Sequence, residues 1–209
     1  MKKEDLNIDG LYKIQKNDLI KCADVAARAF LDDESSKFLL SSKLTYKSLF
    51  EYYSILYKAT YNKMYMFAES DKIEGFIIVA PVKNSQLSLW DCIKAGSIRE
   101  LLSLDVGILI RSLKYEQNCI RIRNKIASKD TWYIFQFGVH PDRQGCGLGS
   151  KTMKPFLCWL DSKKAECYLE TQKAKNVDMY NHFGFSLKSI DKLPKRKEEQ
   201  FAMLRVLVT

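Results

Sequence analysis

Apolar and polar positions along this chain change their period several times, and each change marks an element. Leu11 to Gln15 alternates apolar and polar residues, the period of a half-buried strand. From a cap at Asn17 or Asp18, Leu19, Cys22, Ala23, Ala26 and Phe30 recur at helical spacing until the acidic run Asp32-Asp33-Glu34. A second helix is predicted from Thr45, with Tyr46, Leu49, Phe50, Tyr53 and Leu56 as its buried stripe. Two apolar runs, Lys63 to Glu69 and Glu74 to Pro81, flank Ser70-Asp71-Lys72 and read as a hairpin. The segment 82–130 returns to helical spacing, first through Ile93, Ile98, Leu101 and Leu102, then through Ile108, Leu109, Leu113 and Ile120. Trp132 to Val139 is an apolar strand, followed by a glycine-rich loop and a helix with Met153, Phe156, Leu157 and Leu160 on one face. Ala165 to Thr171 is the next strand, and a short helix capped by Asn176 and closed by Gly184 follows it. Phe185 to Ile190 returns as a strand, a charged loop surrounds Pro194, and Gln200 to Val208 is the last strand.

Strands alternating with helices over 209 residues argue for one domain, 1–209, built on a mixed α/β sheet. At 46% hydrophobic and 28% charged residues, the chain can bury a real core, which excludes disorder. The charged start Met-Lys-Lys-Glu-Asp has no apolar stretch behind it, and no run approaches the ~20 apolar residues of a membrane span, so a soluble cytoplasmic protein is expected. Six cysteines lie far apart without paired spacing to the two histidines, which reads as reduced thiols and no metal site. The net charge of +9 suits an anionic ligand and equally a nucleic acid. A nucleic-acid role is disfavoured, because the Lys and Arg are scattered and no binding motif accompanies them; the region Arg121 to Lys129 is the best place for one.

The loop after Val139 carries the chemistry. It reads His140-Pro-Asp-Arg-Gln144-Gly145-Cys-Gly147-Leu-Gly149-Ser150, and glycines at alternate positions before a helix leave backbone N–H groups uncovered where the helix adds partial positive charge. That is a socket for phosphate oxygens. A Walker loop fails, since Ser150 separates Gly149 from Lys151, and the dinucleotide fingerprint survives only as a runner-up, since the glycines are too tightly spaced. The pattern Gln144-x-x-Gly147-x-Gly149 after Val139-x-Pro141 resembles the acyl-CoA loop of the GNAT superfamily of N-acetyltransferases. Tyr168-Leu-Glu170-Thr171, Asn176 and Tyr180-Asn-His-Phe-Gly184-Phe185 follow in that superfamily's order. The Leu-Glu-Thr wording and Gly149-Ser-Lys-Thr-Met-Lys-Pro155 are similar to its puromycin N-acetyltransferase-like branch, where a proline inside the helix is tolerated.

The resemblance is specific over 131–187, taken as the acetyl-CoA-binding and catalytic core. It implies a GNAT fold: a twisted, splayed mixed central β-sheet flanked by helices, with 82–130 as a helical insertion between the third and fourth strands. It also implies acetyl-CoA as cofactor, a direct transfer to an amine in a ternary complex, and a cofactor site of Phe137, Val139, Gln144, Gly145, Cys146, Gly147, Leu148, Gly149, Ser150, Asn176 and Tyr180. Val139 would offer its N–H to the thioester carbonyl. Tyr180, one helical turn after Asn176, would be the general acid for the departing sulfur, against the alternative of a tyrosine packed with its hydroxyl on a backbone carbonyl.

An amine acceptor, a small molecule or a protein amine, must lose a proton before attack. Glu170 is the first choice of base; a carboxylate that only orients the amine, the acids at 32–34 and a water relay stay open. Asp32, Asp33 and Glu34 lie where the family begins the wall of its acceptor pocket, although charge clusters usually face water. Cys146 is read as a spacer and His140 and His182 as bystanders. The insertion is either a cover over the acceptor site or a packing appendage. A CoA-binding module without turnover is the alternative function, and a single chain and a homodimer both remain open.

Overall fold

The structure is a computed structural model in which residues 5–193 and 198–206 are described. Its centre is a seven-stranded sheet in the order β1-β2-β3-β4-β5-β7-β6. The strands are β1 (Tyr12–Lys13), β2 (Tyr65–Ala68), β3 (Gly75–Pro81), β4 (Trp132–Val139), β5 (Cys167–Thr171), β6 (Ser186–Lys192) and β7 (Glu199–Arg205). Every neighbouring pair is antiparallel except β4 and β5. Among the described residues the eight α-helices are α1 (Leu19–Ala29), α2 (Glu34–Leu40), α3 (Tyr46–Lys63), α4 (Leu89–Lys94), α5 (Ile98–Ser103), α6 (Val106–Ile126), α7 (Leu148–Ser162) and α8 (Ala174–His182).

The parallel pair explains the shape of the sheet. β4 and β5 share a register for only three residues, Trp132 to Ile134 against Cys167 to Leu169, and then part. Trp132 fixes the closed end, its ring edge-on to Trp159 of α7 at 4.8 Å and tilted against Tyr65 at 5.8 Å. Just beyond the last shared pair β4 carries a bulge: Ile78 faces Gln136 and Val79 faces Ile134, so Phe135 is the extra residue. The upper half of β4 is thus paired with β3 on one edge and open on the other.

Each face of the sheet has its own core. On one side α1 and α3 pack Leu19, Cys22, Ala26, Leu49, Tyr53 and Tyr57 against Phe76, Ile78 and Ala80. On the other, α7 lays Met153, Phe156, Leu157 and Leu160 on Ile77, Val79 and Ile134, as the sequence stripe predicts. Each such side chain contributes about 1.5–3 kcal/mol when buried. α7 continues through Pro155, whose ring lies 3.6 Å from the site of a side chain on Gly10.

Several elements differ from expectation. β1 spans two residues, because Ile14 bonds on to Met66 from outside a regular ladder. One member of the acidic run leaves solvent: Asp33 is the N-cap of α2, accepts from the Ser35 amide at 3.0 Å, and is 7% exposed, while Asp32 stays exposed. Asn176 does not cap α8; Lys173 stands at the N-cap, and the Asn176 amide bonds the Lys173 carbonyl inside the first turn. Gly184 does close that helix, at φ 84°. The strand expected over Phe185 to Ile190 begins at Ser186 and runs on to Lys192. Residues 194–197, around the expected Pro194 loop, and Leu207 and Val208 of the expected last strand lie outside the described residues.

Candidate active site

The mouth of the opening between β4 and β5 is the loop into α7. Gly145 and Gly147 hold φ of 79° and 76°, the left-handed region that glycine enters without penalty, and Gly147 is the residue from which α7 starts. A side chain at either would meet nothing within 4 Å, so the space above the loop is clear, whereas one at Gly149 would press on Phe137 at 3.3 Å. Among the described residues no backbone carbonyl accepts from the amides of Gly145, Gly147, Leu148, Gly149 or Ser150. Free donors, a helix N-terminus and open space fit an anionic diphosphate.

The edge of β4 presents a second set of donors. Gly138 pairs with Phe76, and the His140 amide donates to the Glu74 carbonyl at 2.7 Å. Amide direction alternates along an antiparallel strand, so the N–H groups of Phe137 and Val139 face away from β3 into the opening. The Gln144 side chain donates to the Val139 carbonyl at 3.3 Å and ties the loop to the strand end.

Tyr180 is placed by the end of its helix. Gly184 donates to Asn181 and Phe185 donates back to Tyr180, the paired bonds of a Schellman cap, with the Phe185 ring 5.9 Å from the Tyr180 ring. On its other side Tyr180 meets Phe137 at 6.5 Å. Its hydroxyl bonds no backbone carbonyl among the described residues, and the residue lines the cavity beneath the opening. Burial pushes this phenol above the ordinary range and keeps it protonated. One turn earlier, Asn176 donates to the Thr171 hydroxyl at 3.1 Å and lines the same cavity.

Glu170 forms part of the cavity wall. Its carboxylate accepts from the Tyr133 hydroxyl at 2.7 Å and the Tyr168 hydroxyl at 3.1 Å. Burial raises its pKa to about 7, and Arg123 with the two phenols pulls the other way without cancelling the effect. Arg123 is fully buried and lies 4.3 Å over the Tyr133 ring. Its three guanidinium nitrogens make no hydrogen bond, and its ion-pair partner is Glu116 at 3.7 Å. Of the basic residues in the region 121–129, Arg123 faces the interior, whereas Arg121, Lys125 and Lys129 are exposed.

The cavity holds about 230 Å³. β4 and β5 line one side with Tyr133 to Phe137 and Leu169 to Gln172; Phe30, Asp33, Tyr52 and Tyr53 line another. The insertion closes it with Leu89, Leu101, Leu113, Tyr115 and Glu116, so α4, α5 and α6 form the wall opposite the sheet. Sequence reasoning does not bring Asp33, Tyr133, Tyr168, Arg123 and Glu116 together as parts of a polar cluster. The signal for Asp33 lies in its cap position two residues before Ser35; the others carry no local pattern.

A family model described as the acetyltransferase (GNAT) family matches residues 30–185. The chain belongs to this family. The GNAT acetyltransferases use acetyl-CoA as acetyl donor, and this member is an acyltransferase. Its fold is similar to that of the histone acetyltransferase HPA2 and related acetyltransferase from Corynebacterium glutamicum, with 14% identity and a TM-score of 0.62 over 97% of this chain and 98% of that one. An N-acetyltransferase from Staphylococcus aureus Mu50 gives 16% and 0.60 over 93% and 98%. The ribosomal-protein-S18-alanine N-acetyltransferase from Escherichia coli gives 14% and 0.53 over 95% and 94%. At these identities the likeness shows the fold. Among the described residues no group of three or more metal-binding side chains converges, and no helix is long and apolar enough to cross a membrane.

Proposed function

We propose that this GNAT acetyltransferase moves an acetyl group from acetyl-CoA to a primary amine by direct attack, with the site residues in the roles that their positions support. The observation that carries the reading is the convergence of Glu170 and Tyr180 on one cavity at the open end of β4 and β5. Acetyl-CoA supplies an activated acetyl carbonyl and a thiolate leaving group. The free amides of Gly145 and of Gly147 to Ser150 hold the diphosphate, and Phe137, Val139 and Asn176 line the path of the arm. Glu170, ionised above about pH 7, takes the proton from the ammonium so that the nitrogen lone pair can attack. The Val139 N–H stabilises the charge that grows on the carbonyl oxygen. As the C–S bond breaks, the Tyr180 phenol donates its proton to sulfur, and the second proton that the attacking nitrogen sheds on becoming an amide returns to the phenolate. Cys146 is exposed and takes no covalent part.

The wording of residues 149–155 and 169–171 supports a puromycin N-acetyltransferase-like branch, and a cytoplasmic setting goes with that reading. A thiol-release assay with a panel of amines tests the reading. Tyr180→Phe should lower kcat by ~10²–10⁴-fold with little change in acetyl-CoA affinity, and Glu170→Gln should do so below the pKa of the amine. Full activity in both variants contradicts the assignment of roles.

A further inference from the structure

Charge in the cavity runs against charge in the molecule. The chain carries 34 Lys and Arg against 25 Asp and Glu, yet among the described residues no lysine or arginine lines the cavity, while Asp33, Glu116 and Glu170 do. The site therefore selects for a cation. How many cations it takes depends on which carboxylates are already answered. Asp33 is held by the Lys173 ammonium at 3.3 Å and by Ser35, whose hydroxyl donates to it at 2.6 Å. Glu116 has Arg123 at 3.7 Å. Glu170 takes phenol hydrogen bonds and, among the described residues, forms no ion pair, but it shares the field of the same Arg123, so that two cations, Lys173 and Arg123, face three carboxylates. One carboxylate of three is left for the ligand.

The rest of the lining is mostly apolar, with Ser35, Ser112, Gln136, Gln172 and Asn176 among its uncharged polar members. Phe30, Tyr52, Leu56, Leu101, Leu113 and Tyr115 surround the space in front of Glu170. The apolar surface continues outward over the insertion, where Leu89, Trp90, Ile98, Leu102 and Val106 are exposed. At about 230 Å³, the space takes one small molecule beside the acetyl end of the donor.

Resting on the acetyltransferase reading above, we infer that the acceptor is a monoamine on an apolar, aromatic or long alkyl body, with its single nitrogen at Glu170. A polyamine would bring a second ammonium to carboxylates already paired with Lys173 and Arg123, and would leave it desolvated against leucine and tyrosine. A small amine without the body would forfeit the apolar contact, worth roughly 10- to 150-fold in kcat/KM for a ring.

The test measures thiol release by the full chain with acetyl-CoA and phenethylamine, propylamine, spermidine, or a lysine-containing peptide. Phenethylamine should exceed propylamine by roughly 10- to 150-fold and spermidine by about 100-fold or more. Lys173→Ala, which frees Asp33, should narrow the gap between phenethylamine and spermidine by about tenfold. Preference for spermidine or the peptide, or a gap unmoved by Lys173→Ala in a folded variant, overturns the inference while acetyl transfer itself stands. Turnover of none of the amines overturns the acetyltransferase reading and this inference with it.

Discussion

Glu170 sits among groups that pull its ionisation in opposite directions, and its protonation follows from their balance. Desolvation favours the neutral acid; Arg123, Tyr133 and Tyr168 favour the carboxylate, and Glu116 opposes it. The result, a pKa of about 7, makes ionisation the event that switches the base on. The kcat/KM profile should therefore rise through about pH 7 from the acid side. In Arg123→Met the same limb should move to higher pH by about one unit or more, because the largest stabiliser of the carboxylate is gone. A limb that stays in place in the folded variant contradicts this. Stability carries the opposite sign. Between 4.5 and about 7 the folded chain holds this proton more tightly than the unfolded chain does, so the group's contribution is full below 4.5 and is lost as pH rises through about 7. The loss amounts to about 3 kcal/mol. Glu170→Gln should thus be no more stable than wild type at pH 4.5 but more stable at pH 8, read by denaturant midpoints.

At the scale of elements, two short features place the site, and they were unequally legible. The Schellman cap of α8 could be read from Gly184 before Phe185, and with it the inward ring of Tyr180. The loop into α7 was legible because its glycines recur at fixed spacing, and Gly145 and Gly147 do adopt positive φ. α2 was not legible, since seven residues scarcely show a helical period, and three adjacent acids read as solvated although only Asp33 turns inward. The Asn176 cap was misjudged because asparagine favours caps in general, whereas here its side chain reaches back to Thr171 from within the helix. Gly147→Ala tests the loop. A Cβ at φ 76° costs roughly 1–2 kcal/mol and rotates the amides that meet the diphosphate, so acetyl-CoA affinity should fall about tenfold or more. Calorimetric titration of a folded variant with unchanged affinity would remove the loop from the account.

For the whole molecule, the sequence showed the order of strands and helices and the mixed sheet, because apolar periodicity is a local property. It did not show the acceptor wall, which is assembled from α1, α2, α3 and the insertion by contacts between residues tens of positions apart. Arg123 illustrates the difference. In sequence it belongs to a basic stretch at the end of α6; in the fold it is the buried cation behind Tyr133 and Glu170. The basic surface that remains suits an anionic cofactor steered to the loop, while the acidic, apolar cavity lies behind it. These two regions meet only where β4 and β5 part. A crystal structure of the complex with CoA tests that geometry most directly. The account predicts the diphosphate on the amides of Gly145 and of Gly147 to Ser150 and the sulfur within about 3–4 Å of the Tyr180 hydroxyl, in front of Glu170. A diphosphate bound away from this loop, or a sulfur directed out of the cavity, would contradict it.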